Sequence, residues 1–165
     1  METVTLHEGI RLADPAVLKD NVTITSFDAN GRILKVTEFH NIITKVGREN
    51  LALRIGGTAQ GNWTDIEVGT SATAPASTDT ALVTPITTGG LQRAAATFSA
   101  VNNGSGEIST CQWSITLTKT DAGSVTVREV GIYNAQNKLL ARSLTGDHQI
   151  AQNGGITIVH KISLS

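Results

Sequence analysis

The residues Asp28-Ala29-Asn30-Gly31 begin like a calcium-binding loop, in which alternate oxygen-bearing side chains surround the ion. The acidic ligands and the bidentate glutamate that should follow are missing, and runs rich in β-branched residues flank the segment where a calcium loop has helices. Asn and Gly supply the positive φ of a tight hairpin turn. The pattern therefore predicts a turn between two strands, with no metal ion.

The sequence carries no motif for phosphate binding or acyl transfer. Gly69-Thr70-Ser71 follows a predicted strand, but it lacks the Gly-Lys-Ser/Thr ending of a phosphate loop. The chain has no Gly-x-Ser-x-Gly nucleophile elbow, and its acidic residues are spread singly through turns and strand ends. These patterns predict a protein that is not an enzyme.

Histidine and cysteine give no metal or cofactor pattern. His7, His40, His148 and His160 are scattered, without the spacing of metal ligands. The strand around Cys111 alternates so that Cys111 shares a face with Trp113, which predicts a buried, inert thiol. By the same alternation, His160 is predicted to be a hydrogen-bonded core or interface residue. We expect no cofactor.

Composition limits the classes of partner. The 165 residues carry 16% charged side chains and a net charge of −1, with no cluster of lysine and arginine. Nucleic acid and anionic membranes are therefore not expected partners. We expect no signal peptide, no membrane span and, with one cysteine, no intramolecular disulfide.

The order of elements predicts a mainly β protein: an antiparallel β-sandwich or jelly-roll-like domain over residues 21–165, with one short α-helix at about residues 44–55. Thr44 is expected to cap the helix, and Gly56-Gly57 to end it through a left-handed residue. Helix contacts with the core are expected from Val46, Leu51, Leu53 and Ile55. A change in the phase of the apolar residues predicts a bulge near Glu129.

Residues 1–20 are predicted to form an N-terminal arm, because Asp14-Pro15 interrupts any regular element there. The arm carries apolar residues that a small sandwich would not easily cover, and these are the predicted protein-interface residues: Val4, Leu6, Ile10, Leu12, Val17 and Leu18. The alternative is that the arm is a first strand of the same domain.

Five segments together resemble a group of small virion proteins of tailed bacteriophages. They are TSFDANGRIL, FHNIITKVGRENLA, IEVGTSATAPASTDTAL, VREVGIYNAQNKLLARS and ITIVHKISLS, within residues 22–165. The resemblance implies a non-enzymatic capsid decoration or cement subunit, assembled into the virion in the host bacterial cytoplasm.

The same resemblance implies major capsid or tail proteins as partners. Because capsid and tail surfaces are symmetric and the arm is apolar, we also expect a homo-oligomer, either a trimer or a dimer. The alternative is a tail-fibre, tail-tip or baseplate component that could include a host receptor-binding head. The loops GTAQGN, SATAPASTDT and NNGSG consist mainly of small residues, with no aromatic side chain and almost no charge, which favours the structural role over the receptor-binding one.

Overall fold

The computed structural model describes residues 18–102, 106 and 108–164. Its elements in chain order are β1 (Leu18–Phe27), β2 (Ile33–Phe39), β3 (Ile42–Ile43), α1 (Lys45–Ile55), β4 (Trp63–Gly69), β5 (Ala94–Ala95), β6 (Thr97–Asn102), β7 (Ile108–Thr118), β8 (Ser124–Asn134), β9 (Leu139–Ala151) and β10 (Gly155–Leu164).

The strands form two five-stranded antiparallel sheets that pack face to face. The first sheet has the order β2-β1-β10-β7-β6, and the second has the order β3-β9-β8-β4-β5. The predicted mainly β sandwich with one short helix is therefore confirmed. The hairpin at residues 28–31 is confirmed as well, since Gly31 has φ +79° and Asp28 accepts hydrogen bonds from the amides of Asn30 and Arg32.

Alternation along the strands of the first sheet builds its half of the core. Ile156, Ile158 and His160 of β10 are fully buried, and each lies opposite an alternating residue of β7. Trp113, the β7 partner of His160, donates from its indole nitrogen to the carbonyl oxygen of Trp63, 2.8 Å away on the second sheet. This bond joins the two sheets inside the core.

The predicted helix is confirmed, with Thr44 as its N-cap. The Thr44 hydroxyl donates to the carbonyl of Leu139 and accepts from the amide of Gly47. Gly47 lies so close to the β9 backbone that an added Cβ would stand 2.4 Å from the carbonyl oxygen of Leu140. A residue that weakens helix propensity is therefore needed here for close packing.

Two helix contacts expected from the sequence are wrong. Leu53 is 45% exposed and Ile55 is 82% exposed. The first turn of α1 is held against β9, and the buried residues of the helix are Gly47 and Asn50.

The boundary of the predicted arm is also corrected. Residues 18–20 belong to β1, where Leu18 pairs with Leu164 and Asp20 pairs with Ile162 of β10. The backbone ladder of the first sheet thus begins three residues earlier than the alternation suggested. The remaining arm residues, 1–17, lie outside the described residues.

The predicted irregularity near Glu129 is confirmed. Val127 pairs with His148 and Glu129 with Leu144, so two steps along β8 match four steps along β9. The extra residues lie on β9, and Glu129 and Val130 are both buried.

The helix stop gives the first prediction. Gly57 has φ +81° and open space where a Cβ would stand, whereas Gly56 has φ −75°. Gly57→Val should lower the free energy of unfolding by about 1 kcal/mol or more, because a β-branched residue resists positive φ. Gly56→Ala should change it by less than about 0.5 kcal/mol. Urea unfolding of both variants checks this, and equal stabilities would contradict the assignment of the left-handed residue.

Candidate interaction surface

An apolar groove opens where the two sheets diverge, at the end of the sandwich covered by α1. It encloses about 260 Å³ and is lined mainly by apolar side chains: Ile43, Leu51, Ile55, Trp63, Ile108, Cys111, Leu140 and Ile162. An adjoining depression of about 420 Å³ shares Leu51, Trp63 and Cys111 and extends to Phe98. We call the two together the Cys111 groove.

Cys111 is exposed, so the prediction of a buried thiol is wrong. The phase of the strand was correct, because Cys111 lies opposite Ile162 on the face that carries Trp113 and Leu117. Here the space between β7 and the second sheet is the groove, so the sulfur stays exposed. The groove walls still remove part of the water around the sulfur, which raises the pKa of the Cys111 thiol. A raised pKa disfavours the thiolate that a catalytic cysteine needs.

The rim of the groove carries large apolar groups in contact with solvent. Ile55, Ile108 and Phe98 are 82%, 69% and 54% exposed, respectively. Scattered exposed apolar residues are normal, but a contiguous set around a concave apolar floor is typical of a binding surface. The groove is therefore the first candidate site for a protein contact.

A second apolar surface lies on β2, at an edge of the first sheet. Ile33, Leu34 and Val36 are exposed side chains on this strand. Edge strands with exposed apolar residues tend to pair or pack with other chains unless charges prevent it. β2 carries two charged side chains: Lys35 is turned toward β9 and donates to the carbonyl oxygen of Asp147, whereas Glu38 is exposed.

The loop after β4 is fastened to the second sheet by a buried ion pair. Arg142 of β9 and Glu129 of β8 have side chains 1% and 0% exposed, with nitrogen and oxygen 2.8 Å apart. The two carboxylate oxygens of Glu129 also accept from the amides of Val83 and Thr84. The glutamate thus joins two strands to the far end of the loop.

Arg142 holds the near end of the same loop. Its guanidinium group donates to the carbonyl of Thr73 and to the Asp79 carboxylate, each at 2.8 Å. Tyr133 adds a further anchor, since its hydroxyl accepts from the amide of Leu82 at 2.8 Å. Burial raises the pKa of the Tyr133 hydroxyl, so it stays protonated. The Ser/Thr/Ala/Pro loop is consequently fastened to the second sheet, and we call the sheet and this loop together the framework.

His148 is buried between the sheets near the hairpin. Its Nε2 lies 2.6 Å from the Thr37 hydroxyl and its Nδ1 lies 3.0 Å from the Ser26 hydroxyl. Because Thr37 can donate its own proton to the carbonyl of Thr145, a neutral ring that donates from Nε2 and accepts at Nδ1 satisfies every group. Burial, followed by the nearby Lys35 charge, lowers the pKa of His148 to about 4.

His160 is confirmed as a hydrogen-bonded core residue. It is fully buried, and its Nε2 lies 3.0 Å from the Asp20 carboxylate and 3.1 Å from the Asn41 amide nitrogen. Within residues 18–102, 106 and 108–164, no group of three or more histidine, cysteine or acidic side chains is arranged to hold a metal ion. His7 lies outside these residues.

The predicted interface residues are placed only in part. Leu18 lies at the start of β1. Val4, Leu6, Ile10, Leu12 and Val17 lie outside the described residues. The Cys111 groove was not predicted from the sequence, and the available signal was indirect: Ile55 continues the apolar pattern of α1 but is exposed and lines the groove.

Comparison with known proteins gives no relative. No family model, no curated protein and no solved structure matches the chain. In the part of the chain that the structure describes, no helix is long and apolar enough to cross a membrane.

The buried ion pair gives the second prediction. Glu129→Gln should lower the free energy of unfolding by about 3–5 kcal/mol, because it removes one partner of a buried pair and leaves the Arg142 charge incompletely compensated. Asp147→Asn is the control, since it removes a partner of the more exposed Arg128 and should cost about 0–1 kcal/mol. Urea unfolding measures both. Similar small costs would show that the buried pair does not hold the loop.

The lowered pKa of His148 gives the third prediction. Its ordinary value of 6.5 applies to the unfolded chain, so between pH 6.5 and about 4 the unfolded state binds a proton that the folded state does not. The free energy of unfolding should therefore fall as pH falls through this window and level off below it.

His148→Gln should remove this part of the pH dependence, whereas His40→Gln, at an exposed histidine, should leave it in place. Urea unfolding at pH 7, 6, 5 and 4 measures the slope. An identical slope in wild type and His148→Gln would contradict the assignment.

Proposed function

We propose that the protein is a non-enzymatic structural subunit of a tailed-bacteriophage virion, a decoration or cement protein that binds and stabilises the capsid surface. The observation that carries the proposal is the combination of a tightly fastened second sheet with exposed apolar side chains on the edge strand β2. A subunit that stabilises a particle needs a framework that does not deform and an apolar face for its neighbours.

The arrangement of the motifs supports this role. Segments 66–82 and 127–143, two of the five that resemble phage virion proteins, meet at the ion pair of Arg142 and Glu129. The motifs therefore coincide with the parts that make the framework rigid. The loop at 71–80, which a receptor-binding head could use for recognition, has its backbone and Asp79 engaged by Arg142. This engagement favours the structural role.

The partners in this proposal are other virion proteins, with the major capsid protein as the primary one, and further copies of the same chain in a dimer or trimer. Symmetric particle surfaces favour oligomers, because several weak contacts made together bind far more tightly than one. The exposed residues of β2 supply an apolar face for such contacts. The place of action is the virion, after assembly in the bacterial cytoplasm.

The fourth prediction tests attachment to the particle. Phage particles made by cells that express this chain should carry it on capsids, as seen by gradient separation of heads from tails followed by immunodetection. Leu34→Lys combined with Val36→Lys should reduce the amount on heads at least tenfold, because two charges replace an apolar contact. Gln92→Lys, at an exposed loop position, is the control and should bind normally.

Thermal unfolding of the isolated variants shows whether the substitutions leave the fold intact, as their exposure leads us to expect. Recovery of the protein with tails alone would support the tail component in place of the decoration protein. Absence from both heads and tails would overturn the virion role.

A further inference from the structure

The Cys111 groove is an unclosed end of the core, and it is continuous with the start of β1. A polar depression formed by Lys19, Asp20, His40, Asn41 and Ser163 shares Ile43 with the groove. A path therefore runs from the first residues of β1, past Ile43, into the apolar gap between the sheets. A chain segment along this path would cover the side chains that the two sheets leave open.

The chain enters the described structure at the mouth of this path. Leu18 pairs with Leu164, and Ile162, two residues back along β10, lines the groove. Cys111 is one further strand away, directly opposite Ile162. Two strand spacings amount to about 10 Å, a distance that three or four extended residues can span.

The segment before β1 has the pattern that such a groove would bind. Between residues 4 and 12, apolar side chains occur only at even positions, at Val4, Leu6, Ile10 and Leu12. The remaining even position is the charged Glu8, and the odd positions are Thr5, His7, Gly9 and Arg11. As an extended strand, the segment would place these four on one face.

The sequence Asp14-Pro15 is compatible with the reversal that this arrangement requires. Asp at the first position and Pro at the second are typical of a type I turn, which would direct the preceding residues back toward the domain. A segment tethered this closely has a high effective concentration at its own groove, which favours it over a segment from another copy.

We propose that residues 4–12 of the same chain dock in the Cys111 groove as an extended strand, with Val4, Leu6, Ile10 and Leu12 against its apolar floor. The sequence leaves two roles open for the arm, an interface with other proteins or a first strand of its own domain. The proposal corresponds to the second role. The inference is independent of the proposed function, and attachment to the virion then rests on other surfaces such as β2.

Disulfide trapping with the native Cys111 tests the proposal. Leu6→Cys and Ile10→Cys are introduced separately in the full chain and oxidised under mild conditions at low protein concentration. At least one should form an intramolecular disulfide with Cys111, seen as a monomer of altered mobility on a non-reducing gel and absent after Cys111→Ser. Thr5→Cys and Arg11→Cys, on the opposite face, are matched controls and should cross-link at least tenfold more slowly.

Thiol labelling of Cys111 provides a second measurement without engineered cysteines. The full chain should react with 5,5′-dithiobis(2-nitrobenzoate) at least tenfold more slowly than a variant lacking residues 2–13, at every protein concentration tested. Equal labelling rates would overturn the proposal, as would cross-links that form only between chains. Both readouts use the isolated protein, so their failure is distinguishable from a failure to find the protein in virions.

Discussion

The buried ion pair of Arg142 and Glu129 is the interaction that holds the second sheet and the loop after β4 together. Isolated charges cannot be buried without severe cost, so each must find compensating partners. Here the guanidinium group binds Glu129, Asp79 and a loop carbonyl, and the carboxylate accepts two loop amides. The loop after β4 supplies most of these partners. The pair is therefore satisfied only when the loop is in place, and it fastens both ends of the loop, beside the separate bond from the Leu82 amide to Tyr133.

This coupling fastens the second sheet to its loop, whereas the space between the two sheets stays open near the end of α1. The second sheet, its long loop and the first turn of α1 form a single hydrogen-bonded unit, joined at the helix start by the bond from the Lys45 amide to the carbonyl of Ser77. At the far end of the helix the space between the sheets stays open among the described residues, and apolar side chains are exposed there. This open space is the groove that residues 4–12 are proposed to fill.

The sequence predicted local structure well and burial less well. The hairpin at Gly31, the cap at Thr44 and the shift at Glu129 follow from short-range rules, because turn, cap and phase signals act within a few residues. The exposure of Cys111 could not be predicted, since alternation defines the face of a strand and not whether another sheet covers that face.

The ion pair of Arg142 and Glu129 could not be predicted from the sequence either. Glu129 and Arg142 are 13 positions apart, and Asp79 is 63 positions from Arg142, so only the folded arrangement brings them together. The same holds for Gly47, which lowers helix propensity: its close approach to Leu140, a residue distant in sequence, is visible only in the folded chain. In each case, the contacting residue is distant in sequence and could not be identified from the sequence alone.

Native-state amide hydrogen exchange at Val83 and Thr84 tests most directly whether the buried pair holds the loop to the framework. Both amides donate to Glu129. If the pair holds the loop, we expect them to exchange with a free energy close to that of global unfolding, like the core amides of β8. Exchange at rates near those of an unprotected chain, while the β8 amides stay protected, would show that the loop opens independently and would contradict this role of the pair.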